Sequence, residues 1–300
     1  MKVIISGASG FLGKALSREL AEHGHLVTAL VRRPVREDAE AEWHPEKREL
    51  DRDVLAGADA IVNLSGAGIG DKRWTTEYKR ILRESRMQST GTLAHTLAEM
   101  GSESRPTTFV SASAVGFYGE RGDQPLPESA TVGTGFLADL ARDWEAATQP
   151  AAAAGVRVAT LRTGLPLAAS GGLLKRLMPI FKAGIGGTLG SGQQYQSWIS
   201  LADEVGAIRH ILETDAISGP VNLAGPEPVR NQQFTKALGR TLHRPTLVRA
   251  PAFAMRLVLG QLADEGALAS QRMIPQVLIE HNYRFQHPDL QSALDWAVQH

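Results

Sequence analysis

Apolar, β-branched residues bunch into short runs along this chain, and longer stretches with helical spacing separate them. The runs fall at residues 3–6, 26–31, 60–64, 107–111 and 157–161. Each is bounded by glycine or polar residues and reads as a buried strand. Helical patterns cover 11–23, about 75–100 from a cap at Thr75 or Thr76, and about 136–154, closing on Ala151-Ala152-Ala153-Ala154. This alternation predicts parallel βαβ units, hence an α/β fold with a Rossmann-type, doubly wound parallel sheet. No fixed-period repeat or low-complexity segment interrupts it.

The pattern changes after residue 164. Gly171, Gly172, Gly184, Gly186, Gly187, Gly190 and Gly192 crowd one stretch, which reads as loops over a substrate face. From about residue 226 the pattern is mostly helical with short extended pieces. The expected division is a nucleotide-binding domain of 1–164 plus 201–224, and a smaller, mostly helical C-terminal substrate lobe of 165–200 and 225–300. That lobe is expected over the carboxyl ends of the strands, where open α/β sheets bind ligands.

Composition narrows the classes. The 300 residues carry 32 basic and 32 acidic side chains, so nothing favours nucleic acid or an anionic membrane. There are no cysteines, which excludes disulfides, thiolate metal sites and thiol catalysis. A hydrophobic content of 43% is ordinary for a globular chain. Gly7 and Gly10 interrupt the first apolar run too early for a signal peptide, and Arg256 breaks the longest apolar stretch near the C-terminus. A cytoplasmic enzyme, monomer or homodimer, acting on a small molecule is the expectation.

The strongest local signal is Ser6-Gly7-Ala8-Ser9-Gly10-Phe11-Leu12-Gly13, between the first strand and the first helix. Gly7 permits a tight turn, Gly10 lets a pyrophosphate approach the backbone, and Gly13 lets the helix pack on the strand. The helix N-terminus, with Ser9, Phe11 and Leu12 around it, offers free N–H groups to an anion. The second strand ends in Arg32-Arg33, about 20 residues past the glycines, where an NAD site usually places an acid. A guanidinium fork matches the 2′-phosphate of NADP; the plainer reading is two arginines solvating a strand end. Leu64-Ser65-Gly66 follows the third strand with the small residues that close approach to a cofactor needs, or forms an ordinary turn.

Taken with Asn63-Leu64-Ser65-Gly66, Lys72-Arg73-Trp74-Thr75, Ser85-Arg86, Arg162-Thr163-Gly164, Gly190-Ser191-Gly192-Gln193, Trp198-Ile199, Pro228-Val229-Arg230-Asn231 and Gln271-Arg272, the chain resembles the extended short-chain dehydrogenase/reductase family. More narrowly, it is similar to that family's epimerase-like subgroup, almost end to end. The resemblance implies NADP(H) as cofactor. It also implies that Arg86, the Leu64-Ser65 turn and Leu165 line the cofactor site. Helical arginines are otherwise mostly solvated surface.

Active members of that family use a serine or threonine with a Tyr-x-x-x-Lys pair. Ser113 ends the fourth strand at the expected place, but Phe136 stands where the tyrosine belongs and Leu140 where the lysine belongs. Neither side chain moves a proton or bonds a ribose. None of Tyr78, Tyr118, Tyr195 and Tyr283 has a lysine four residues on. Tyr118 is the substitute acid nearest Ser113 in sequence, or a packed aromatic. Trp74, Gln193 and Trp198 are candidates for the substrate face, with packing the alternative for Trp198. Asp203-Glu204 reads as two acids in the first turn of a helix running to about residue 212 rather than a catalytic pair. The nine histidines show no metal-ligand spacing, and there is no Gly-x-Ser-x-Gly elbow or P-loop. Two readings remain. One is an NADP(H)-dependent oxidoreductase or epimerase on a small carbonyl or sugar-like substrate, with an altered acid/base set. The other is a non-catalytic NADP(H)-binding sensor.

Overall fold

Seven strands line up in the order Gly219–Leu223, Arg157–Thr163, Thr108–Ala114, Ala60–Asn63, Lys2–Ser6, Leu26–Val31 and Glu40–Glu42 in the computed structural model, which describes residues 1–300. The first apolar run is interior to the sheet. It pairs in parallel with Leu26–Val31 (Val3 beside Val27) and with Ala60–Asn63 (Val3 beside Ala60). Parallel strands flanked by crossover helices are covered on both faces, which is why these runs are continuously apolar. The edge strand Glu40–Glu42 escaped the sequence reading because its residues carry no apolar alternation. Edge strands tolerate such charge because only one side of the ladder is paired.

The chain divides into two units: Met1–Ser113, Arg142–Leu161 and Ile208–Pro220 form the first, and Ala114–Ala141, Arg162–Ala207 and Val221–His300 the second. The division expected from sequence placed 114–141, 162–164, 201–207 and 221–224 with the nucleotide-binding half. Within the second unit, Tyr118 bonds Arg162 and Asn222, and Asp203 bonds Tyr283 and the Gln286 amide.

The core of the first unit gathers Ile4, Leu30, Trp43, Leu55, Ile61, Leu93, Leu97 and Phe109. Helix Thr76–Glu99 covers it, and the Thr75 hydroxyl accepts the Tyr78 amide as its cap. The helix expected over 136–154 is two helices, Phe136–Ala146 and Gln149–Ala153. Pro150 has no amide to donate one turn back, so the first helix ends ahead of it.

The second unit packs Leu174, Met178, Phe181, Trp198, Phe234, Leu238, Leu290 and Leu294 into one cluster. Helices Asn231–Thr241, Ala252–Leu259 and Leu290–Ala297, with short strands between, match the expected helical C-terminal region. The glycine-rich stretch read as loops holds a further helix, Gly172–Lys182, whose Leu174, Met178 and Phe181 are buried along one face. No helix is long and apolar enough to cross a membrane.

Candidate functional site

The carboxyl ends of three neighbouring strands of the first unit sit side by side. Ser6 registers with Asn63, and Asn63 with Ser111, so Ser113 projects one step further along the same edge. At that edge Gly7 takes φ +77°, a left-handed turn open to glycine. The Gly10 amide closes the turn on the Gly7 carbonyl at 3.0 Å. Helix Phe11–Glu22 then starts with no side-chain cap and no acid in its first turn, leaving its N–H groups and positive dipole end unanswered. A Cβ at Gly13 would lie 2.2 Å from the Gly7 carbonyl oxygen, and one at Gly7 would lie 2.8 Å from the Leu64 carbonyl carbon. The glycine spacing therefore buys backbone proximity of three segments: turn, helix and the Leu64-Ser65 turn.

A buried polar chain fixes that arrangement. The Ser6 hydroxyl donates to Asn63 Oδ1 at 2.6 Å, and the Ser65 amide donates to the same oxygen at 3.2 Å. Asn63 Nδ2 and Trp144 Nε1 both donate to the Thr90 hydroxyl, at 2.8 and 2.9 Å. Every member is satisfied, which rigidifies the edge.

Arg86 completes this part of the site. Its guanidinium lies against Gly66, with Cζ 3.3 Å from the position of a Gly66 Cβ, and 4.7 Å from the Trp144 ring centre. Nη1 donates to the carbonyls of Ala67 and Leu82. Only 6% of the residue is exposed, Nε has no partner, and no acid pairs with it. Burial pushes its pKa down to about 10. The cradle and the uncompensated cation both fit the phosphates of a dinucleotide.

The two arginines of the second strand end differ. Arg33 forms a fork on Glu40, with contacts of 2.9 and 2.5 Å, and holds that carboxyl down at about 2. It ties the edge strand in place. Arg32 is exposed. Ser9 is exposed too, with Phe11 and Leu12 half-buried beside the turn. Trp74, half-buried, donates from Nε1 to the Ile69 carbonyl and braces the loop before the long helix.

The candidates for chemistry are also sorted. Ser113 is 4% exposed, and its hydroxyl donates to Glu145 Oε1 at 2.7 Å. Phe136 and Leu140 begin the same helix, Leu140 buried. Glu145 was not anticipated: an acid near the end of an amphipathic helix gives no signal until the fold brings it to the serine. Tyr118 belongs to the second unit and is fully buried. Its hydroxyl donates to Asn222 Oδ1 at 2.7 Å and accepts from Arg162 at 3.0 Å, and burial raises its pKa. Asn222 also donates to the carbonyls of Leu126 and Ile274, and its amide to Glu128. This tyrosine is a knot in the core.

Trp198 is likewise core, 1% exposed, with Nε1 on the Glu227 carbonyl and its ring against Gly225. Gln193 is exposed, and its carbonyl accepts from Arg230 at 2.6 Å. Leu165 lines a cavity of about 30 Å³ with Val115, Tyr195, Gln196 and Gln271. Gln196 Oε1 and Gln271 Nε2 are buried there without partners. That volume suits one water.

Known proteins resemble the chain over its full length. The pattern that defines the NAD-dependent epimerase/dehydratase family matches residues 3–224, and a domain of unknown function matches 250–297. An epimerase family protein of Mycobacterium leprae is 45% identical over 99% of this chain and 95% of its own. Among solved structures, a human epimerase family protein determined with NADPH superposes with a TM-score of 0.88 at 27% identity, covering 100% of this chain and 99% of that one. A nucleoside-diphosphate sugar epimerase of Corynebacterium glutamicum superposes at 0.80 with 38% identity, covering 99% of this chain and 59% of that one. With a glycine turn, an open helix N-terminus and a Rossmann-like parallel sheet in place, the chain belongs to the NAD-dependent epimerase/dehydratase family.

Proposed function

We propose that this protein binds NADP(H) and is an oxidoreductase or epimerase acting on a small carbonyl or sugar-like substrate without the usual Tyr-x-x-x-Lys pair. The carrying observation is Arg86, a buried guanidinium with no acid beside it, one residue-width from the Gly66 backbone. An anion is the partner such a group lacks. The glycine turn and the helix N-terminus would hold the pyrophosphate, with Leu64 and Ser65 alongside. Arg32 would take the 2′-phosphate, since Glu40 already occupies Arg33. The cofactor supplies hydride chemistry when bound, and Ser113 bonds the substrate oxygen.

Binding and turnover test this separately. Arg32→Glu is expected to weaken NADPH by more than about tenfold, the worth of one lost charged contact, while NADH changes little. Equal loss of both, or no loss, sinks the assignment of the 2′-phosphate. A panel of carbonyl compounds, followed by loss of reduced-nicotinamide absorbance, tests the reaction. A second reading, a non-catalytic NADP(H)-binding sensor, is favoured by Phe136 and Leu140 alone; turnover of any panel member eliminates it.

A further inference from the structure

We propose that Glu145 replaces the missing proton-handling pair by acting through Ser113: it is the positioning residue that accepts the serine proton while Ser113 takes the proton of a substrate hydroxyl. This rests on the oxidoreductase reading above. The hydrogen bond itself sets the direction. An ionised carboxylate only accepts, so the single Ser113 proton points at Glu145 Oε1, 2.7 Å away. The two lone pairs of Oγ are left to receive a donor from the other side. A hydroxyl group of a substrate is such a donor.

The relay balances as follows. The substrate O–H proton passes to Ser113 Oγ as the Ser113 proton passes to Glu145 Oε1. The O–H electron pair stays on the substrate oxygen and becomes the second bond of the new carbonyl. The carbon's hydrogen leaves with the other electron pair, as a hydride, which a bound oxidised nicotinamide would accept. In carbonyl reduction the same protons run backwards, from a protonated Glu145 through Ser113 to the oxygen.

The surroundings hold the pair in place. Trp144, next to Glu145, is pinned by the Thr90 hydroxyl and capped by Arg86. Beside Glu145, Arg83 of helix Thr76–Glu99 and Arg142 of Glu145's own helix both pair with Asp143. Phe136 and Leu140, earlier on that helix, offer no titrating group of their own.

Glu145→Gln is the discriminating change, because the amide oxygen still accepts the Ser113 hydroxyl but takes no proton. The assay is NADP-linked oxidation of the alcohols whose carbonyls the panel identifies. Glu145→Gln is expected to lose about 100-fold or more in kcat while KM for the alcohol stays near the parent value. Its NADPH affinity, by fluorescence titration, and its melting temperature are expected to stay at parent values. Glu145→Asp is expected to recover part of the rate. Ser113→Ala, the second variant, is expected to match Glu145→Gln. Parent-like turnover in either Glu145→Gln or Ser113→Ala overturns the proposal and leaves the function standing. A parent inert towards the whole panel overturns the function, and the proposal with it.

Discussion

A buried guanidinium held against backbone carbonyls, with no acid in reach, is an expense in the free protein. Arg86 keeps only two carbonyl acceptors and the Trp144 face as compensation. Arg86→Met preserves most of its volume and removes the charge. NADPH affinity is expected to drop about 10- to 100-fold, the range of one charged hydrogen bond, while the melting temperature stays equal or rises. A lower melting temperature with unchanged NADPH affinity refutes the assignment. At this scale the sequence was partly readable. Arg86 and the Leu64-Ser65-Gly66 turn, suggested by family resemblance, do lie together. The pairing of Arg33 was not legible, because Glu40 stands seven residues away on an edge strand that the pattern did not reveal. Tyr118 and Trp198 were ambiguous because an aromatic side chain reads alike in a pocket and in a core; their burial decides for the core.

The strand–turn–helix element is where sequence spacing translated most directly into geometry. Glycines three apart announce contacts that a methyl group forbids, and those at Gly7 and Gly13 are present. Gly13→Ala places a methyl 2.2 Å from the Gly7 carbonyl oxygen, so either helix or turn must move. Such overpacking costs about 1–3 kcal/mol. The expected result is a lower unfolding midpoint in urea together with loss of NADPH binding; a variant with parent affinity contradicts the role given to the turn. Strands with continuous apolar runs were legible for the same reason, since burial on both faces leaves no room for polar residues. Glu40–Glu42 and Gly172–Lys182 were not. The first is polar, and glycines flanking the second masked the buried side chains on its face. The break at Pro150 was visible in principle, as proline removes a helical donor.

The stability of the whole molecule depends on acids that face no water. Asp203 and Glu204, read from sequence as first-turn acids, do start helix Leu201–Glu213, but both are fully buried. Asp203 accepts from Ser200, Tyr283 and the amides of Gln286 and His287. Glu204 accepts only from the Thr163 hydroxyl, and burial pushes its pKa up to about 8 from the ordinary 4.5. Between those values the folded protein holds a proton that the unfolded chain has released. This group's contribution therefore declines as pH rises from about 4.5 to about 8 and is constant beyond. Glu204→Gln keeps an acceptor for Thr163 and removes the ionisation. Its gain in melting temperature over the parent is expected to be larger at pH 8 than at pH 5; a gain independent of pH rejects the argument.

The Tyr118 knot has a consequence for how the protein is made. Asn222 bonds Tyr118, Leu126 and Ile274, so partners from two separate stretches must be present before its side chain is satisfied. On the ribosome, Tyr118 and Asn222 emerge well before Ile274, and a buried amide lacking an acceptor is costly. The second unit therefore closes late in translation, and the 250–297 segment is a structural part of the fold and not an appendage to it.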